Sequence, residues 1–453
     1  MRIGLGVVVL VDLLIRGFGL LAMYSEAGVL PRADRIAIYG SSWAYSVYDL
    51  VAGSPTALAL AFLVVAIAGA ALVVGVWTRV ATVVCLVSAI GLQIRMPLVV
   101  TGGDVLLAAM LLWSLFLPMD ARYSLAARRR GTPPAGVSNL ASFALMLQVA
   151  VVFAFAGGAK LYDAAWRAGD GVYYALTAEF YTTSLASGFV TAAPGWLLAF
   201  LTFAVIGYEL LCPLLLLIPR RVALWRGVFV GATILMNLSF WFCLRIGIFS
   251  WVAVIACVGL LPGQVWDWLE AKLGRVVVTG EDFGRPAAPV LPVLVALITL
   301  MMVNNMHLPR AVGLGKPVAT VSRYIGLAQR GWPMFSPTAR DQGWFVLLAR
   351  TDGGRMIDLY RNGAEPKRER PARISDEFET YRWRKYYMNL KRGNRRAARL
   401  LLRYECRTWN SSHSDTGRVS GISLVYMRDV TLANNKRSPV QRVVLASLTC
   451  PSL

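Results

Sequence analysis

Histidine is nearly missing from this chain. Only two occur in 453 residues, His307 and His413, and neither lies inside an apolar run. That excludes a haem or a histidine-ligated metal within a membrane. The six cysteines form no Cys-x-x-Cys pair, so no zinc signature is present. A Walker loop and a dinucleotide fingerprint are also lacking, and nothing points to a nucleotide. Charge is scarce: 16% of residues are Asp, Glu, Lys or Arg, against about a quarter in soluble proteins.

What is present in quantity is apolar. The chain is 57% hydrophobic with a mean hydropathy of +0.56. A membrane helix needs about 20 mostly apolar residues. Nine runs qualify as expected spans: 4–23, 56–77, 80–98, 104–119, 138–160, 194–218, 223–243, 246–262 and 288–306. The first resembles a signal peptide, but Asp12 and Arg16 interrupt it and no small-x-small cleavage site follows. It therefore reads as a span.

Lysine and arginine in short loops set orientation. With the N-terminus inside, twelve basic residues fall on the cytoplasmic side, Arg2, Arg79 and Arg128 among them, and six on the other. Nine crossings then export residues 309–453. The net charge of +21 is concentrated there: from Arg310 onward 27 Lys and Arg face 11 Asp and Glu.

The stretch Phe153–Trp166, FAFAGGAKLYDAAW, carries an apolar helix through small residues to one lysine, Lys160. Small residues permit close helix approach, and a lysine at a membrane edge is either a snorkelling end group or a functional group. The expected topology puts Arg95, Asp104, Lys160, Asp163 and Arg245 at the outer ends of five spans, at one depth. Those five are the candidate catalytic set, expected to meet in one pocket. Asp12 and Arg16, four apart, read as an internal pair. Glu209 has no partner in its own run and is expected to face Arg16 or a polar cavity.

Residues 28–50 are too polar to span and rich in Tyr and Trp, so an amphipathic element on the outer surface is expected. Residues 166–188 read similarly and follow Lys160 as a lid or re-entrant segment. In the last third, WFVLLAR, RMIDLY, ARLLLRYECRTW, GISLVYMRDV and QRVVLASL read as short strands, and DEFETYRWRKYYMNLKRGNRRAARL as a basic helix. A basic face with aromatics can bind nucleic acid, but an exported one meets anionic headgroups or an acidic peptide instead. Cys406 and Cys450 are disulfide candidates; Cys85, Cys212, Cys243 and Cys257 lie in apolar runs. The fold class is an α-helical polytopic membrane protein, residues 1–308, with a C-terminal, mainly β, exported domain.

Several motifs occur in a recognisable order: GVLPR at 28–32, GVWTR at 75–79, RMPLVVTGGDVLL at 95–107, LWSLFLPMDARYSL at 112–125, AGGAKLYDAAWRAGDGVYYAL at 156–176, IGIFSW at 246–251 and GWPMFSP at 331–337. In this order they resemble the bacterial HTTM ("horizontally transferred transmembrane") proteins, the group that includes vitamin K-dependent γ-carboxylases. The resemblance covers nearly the whole chain. It implies a multi-pass protein of the bacterial inner membrane with a periplasmic C-terminal domain. It implies that Lys160 acts as base on a reduced, vitamin K-like quinone, and that Trp166, Tyr173, Asn237, Trp241 and Glu209 line the cofactor. Asn237 stands near where animal carboxylases carry a membrane histidine. An exported peptide would be the acceptor, with membrane lipids as the other partner and no metal or nucleic acid.

Two readings follow. In one the chain is a quinone-linked membrane enzyme: Lys160 is the base, Arg95 and Arg245 steady anionic oxygens, and Asp104 or Asp163 orients the site. In the other it is a non-catalytic scaffold that helps an exported peptide or partner subunit mature.

Overall fold

The computed structural model describes residues 1–130, 137–274, 290–306, 315–329, 331–366, 369–413, 417–432 and 436–450. His307 and the first two residues of the expected span 288–306 lie outside them. The chain is mostly helical, with a small antiparallel sheet near its C-terminus.

Five helices are long and apolar enough to cross a membrane: α2 (Pro55–Val74), α3 (Thr78–Arg95), α5 (Leu140–Leu161), α6 (Gly195–Leu215) and α7 (Val222–Cys243). A sixth crossing is possible through α8 (Phe249–Val258) and α9 (Gly263–Lys272), which meet at a bend of 91°. Gly259, Leu260, Leu261 and Pro262 separate them, and proline removes the backbone donor that a continuous helix would need. Three of the nine expected spans are shorter helices: α1 (Arg2–Gly17), α4 (Gly102–Ser114) and α10 (Val290–Asn305). The chain turns at Phe18 and Gly19 after α1. At α4 a capping box between Thr101 and Asp104 starts the helix at Gly102, two residues before the expected span, and the helix ends at Ser114, five residues before the expected end.

Residues 28–50 contain a helix over Arg32–Tyr39 followed by two short 3₁₀ turns. Arg35 is fully buried in it and grips Asp49 through both terminal nitrogens, at 2.8 and 2.7 Å.

The C-terminal unit is a four-stranded antiparallel sheet with strand order β2–β1–β3–β4: β1 (Asp341–Thr351), β2 (Met356–Asp358), β3 (Val419–Val430) and β4 (Gln441–Thr449). Two helices accompany it, α11 (Tyr381–Lys391) and α12 (Arg395–Ser412). The unit is thus mixed rather than mainly β. ARLLLRYECRTW, read as a strand, belongs to α12: Ala397, Ala398, Leu401 and Leu402 are buried at helical spacing, and Asn394 caps the N-terminus. Cys406 on α12 is bonded to Cys450 just after β4, Cα atoms 5.7 Å apart. Cys85, Cys212, Cys243 and Cys257 are free.

Candidate functional site: a buried lysine–glutamate pair

Lys160 occupies the last turn of α5 and is 1% exposed. Its position depends on Gly157, one turn earlier. A Cβ at Gly157 would lie 3.0 Å from Glu209 Cβ and 2.9 Å from Leu210 Cγ, so α6 can approach only because no side chain is there. The close approach puts Glu209, also 1% exposed, against the lysine. The Lys160 amine donates to Glu209 Oε2 at 2.6 Å and Oε1 at 2.9 Å. Glu209 is therefore the partner of Lys160, where Arg16 or a polar cavity was expected. It lies fourteen residues beyond the start of α6, about 21 Å along the axis, so the last turn of α5 meets α6 past its middle.

A wall closes over the amine. The ring of Trp166 lies 5.0 Å from Lys160 Nζ, a cation–π contact. Gly171 leaves room for that ring, since a Cβ there would overlap its atoms. Residues 331–338 complete the wall. Trp166 Nε1 donates to the Phe335 carbonyl at 2.9 Å, Ser336 Oγ donates to the Ala159 carbonyl at 3.0 Å, and the Thr338 amide donates to Asp163 at 2.7 Å. Asp163 also caps the short helix Ala164–Arg167. The segment enters the bundle on a buried amide network. Gln148 and Gln329 exchange two hydrogen bonds, at 2.9 and 2.7 Å, and Asn305 donates to Gln329 at 3.1 Å.

One residue before Glu209 on α6, the Tyr208 hydroxyl meets the Thr233 hydroxyl of α7 at 2.5 Å. Asn237, one turn further along α7, donates to the Thr233 carbonyl at 2.9 Å. Its own Oδ1 is buried without a hydrogen-bond partner.

The other candidates go elsewhere. Arg95 is fully buried and donates to the carbonyls of Leu30 and Ser25, both at 2.6 Å, with Glu26 and Asp49 near 3.7 and 3.8 Å. Asp104 takes Arg16 at 2.5 Å and Arg382 at 2.6 Å. Arg245 pairs with Asp376 at 2.5 Å. Tyr173 donates to the Leu432 carbonyl at 2.8 Å. Trp241 is 51% exposed, edge-on to Trp251 and Phe242. Among the described residues, no hydrogen bond or ion pair joins the Lys160 side chain to Arg95, Asp104, Asp163 or Arg245. The expected single pocket is four separate charge groups. Of the candidate set, Trp166 and Glu209 meet the lysine's amine.

The second of those groups is a buried square. Asp12 and Arg16 pair at 2.7 Å, as expected, and Arg16 bridges to Asp104. Arg382, carried in by α11, reaches both carboxylates. Two arginines thus balance two aspartates with almost no exposure.

Set against protein-family models, curated proteins and solved structures, the chain matches none of them.

Proposed function

We propose that Lys160 and Glu209 form the proton-handling centre of a membrane enzyme acting on a lipid-soluble, weakly acidic ring of the reduced-quinone class. The observation that carries this reading is the pair itself, an amine and a carboxyl 2.6 Å apart with 1% exposure each. Ion pairs in such surroundings repay little of their desolvation cost, and intramembrane ionisable residues are retained mainly for function. With the shared proton on Glu209, the Lys160 amine is neutral. Its lone pair can then take a phenolic proton, leaving the ring as a phenolate and the lysine as an ammonium. Trp166 offers an aromatic face to the ring, and Ser336 is a nearby hydroxyl.

The wider proposal is the resemblance stated above: an HTTM-type protein of the bacterial inner membrane, nine crossings, N-terminus inside, and a periplasmic C-terminal domain presenting an exported peptide. The twofold excess of basic residues on one side supports that topology.

The test is full-length protein in lipid nanodiscs, given a reduced naphthoquinone with a short isoprenoid tail, under oxygen. Oxidised or epoxidised product that disappears in Lys160→Ala and falls strongly in Glu209→Gln supports the enzyme. Equal product in wild type and Lys160→Ala sinks it.

A second reading, the non-catalytic scaffold, is favoured by Arg382. It locks the C-terminal unit to α1 and α4 without any reacting group. That reading expects an exported partner to co-purify equally with wild type and Lys160→Ala.

A further inference from the structure

Helix α12 shows two unlike faces. One packs Ala397, Ala398, Leu401 and Leu402 towards the sheet. The other carries Arg395, Arg396, Arg399, Arg403 and Arg407, all exposed, with Arg395, Arg399, Arg403 and Arg407 recurring every four residues. A row of like charges repels itself, so it needs an anionic counterpart or only solvent.

Two of these arginines say where the row lies. Arg396 pairs with Asp34 at 3.1 Å, and Arg407 donates to the Ala27 carbonyl. Both targets belong to the 25–54 connection between α1 and α2, the same end of the bundle where Arg95 closes α3 onto Ser25 and Leu30. Contacts eleven residues apart, about 16 Å along a helix, run along this connection. The helix therefore lies lengthwise on the membrane-domain surface instead of standing away from it. The connection exposes Tyr45 at 70% and Leu50 at 88%, side chains suited to a bilayer interface. Arg395, Arg399 and Arg403 have no side-chain hydrogen bond or ion pair among the described residues.

We propose that Arg395, Arg399 and Arg403 bind the phosphates of anionic phospholipids in the leaflet on the side of the C-terminal unit. Guanidinium forks match phosphate oxygens in pairs. The lengthwise placement of α12 favours a lipid surface over a free peptide, which would need no alignment with the bilayer. The site is separate from Lys160 and stands whether or not that residue is catalytic.

The experiment is native mass spectrometry of the full chain in detergent with equal phosphatidylglycerol and phosphatidylcholine. Wild type is expected to retain phosphatidylglycerol in preference. In Arg395→Gln/Arg399→Gln/Arg403→Gln that preference falls roughly tenfold or more, since each basic residue near an anionic surface contributes separately. The charge-matched variant Arg350→Gln/Arg355→Gln/Lys436→Gln, whose exposed cations lie off α12, keeps it. Thermal stability is expected to match wild type in both, because all six side chains are exposed. The proposal is overturned if the α12 triple variant retains phosphatidylglycerol like wild type. It is equally overturned if both triple variants lose it alike, which would mark a net-charge effect. A third overturning result is unchanged lipid retention with loss of binding to a fluorescent oligo-glutamate, which would make the face a peptide surface.

Discussion

Arg382 and Asp104 stand 278 residues apart in the chain, yet their side chains meet at 2.6 Å with 1% and 3% exposure. Asp104 fixes the start of α4, and Arg382 belongs to the helix that opens the basic stretch of the C-terminal unit. The contact makes one body of two units that differ in composition. Further ties, from Asn389 to the Leu98 carbonyl at 2.6 Å and from Ser375 to the Thr182 carbonyl at 2.9 Å, hold the same interface.

Removing that arginine should therefore be costly. Arg382→Met leaves Asp12 and Asp104 with only Arg16 between them, and an uncompensated buried charge costs about 3 to 5 kcal/mol. The expected outcome is a marked loss of thermal stability in detergent. Arg382→Met/Asp104→Asn is expected to recover part of it, because the charge count is restored. Equal stability of wild type and the single variant would show that the square carries no weight.

The Lys160–Glu209 pair can be separated into its structural and chemical parts. Lys160→Met strands a carboxylate and should destabilise by about 3 to 5 kcal/mol, whereas Lys160→Met/Glu209→Leu replaces the pair by apolar groups and should be close to neutral. The double variant is then a folded protein without the proton-handling couple. Turnover of a reduced quinone that survives in it would remove Lys160 from the chemistry.

The two glycines beside the lysine predict opposite results. Gly157→Ala puts a Cβ 3.0 Å from Glu209 Cβ and 2.9 Å from Leu210 Cγ, and α6 must give way. A cost of about 1 to 3 kcal/mol is expected, with lower activity because Glu209 moves. Gly158→Ala meets nothing within 4 Å and should gain about 0.5 to 1 kcal/mol from helix propensity. Thermal denaturation of both variants in one detergent checks the contrast.

These sites also show what the sequence could tell. Apolar length reveals helices long enough to cross a membrane, and alternation reveals β1, β3 and β4. The Asp12–Arg16 pair is legible because both residues sit on one helix at a spacing of four. The Lys160–Glu209 pair is not, because nothing periodic relates α5 to α6; Gly157 was the one local sign of a close neighbour. Expecting charges at similar positions along their spans to meet was the misleading step. Depth is shared around a whole bundle, and each buried charge is satisfied by its own set of neighbours: Arg95 by two carbonyls, Asp104 by two arginines. The role of residues 331–338 in closing the lysine site was hidden because Gln329, which anchors them, is held by Gln148 from far along the chain.

Oxidation state should matter to the C-terminal unit alone. The Cys406–Cys450 bond closes a separation of 44 residues, worth about 4 kcal/mol in the chain-entropy picture. Cys406→Ala/Cys450→Ala is expected to expose β4 to proteolysis at lower temperature while the membrane helices stay folded. Cleavage patterns indistinguishable from wild type would show that the bond constrains nothing.

The pH response of the same unit has a defined sign. Glu405 is largely buried on α12, and burial, with Glu379 adding repulsion, pushes its carboxyl up from 4.5 to about 7. The folded chain thus binds a proton between these values that the unfolded chain has released. Stability from this group is present below about 4.5 and is lost as pH rises through about 7. The shift corresponds to something on the order of 3 kcal/mol. Glu405→Gln removes the titration, so its stability should rise relative to wild type as pH goes from 5 to 8, roughly levelling off above 7. The check is the difference in unfolding temperature between the two proteins across that range. A difference that stays constant with pH would show that Glu405 is ionised in the folded chain throughout.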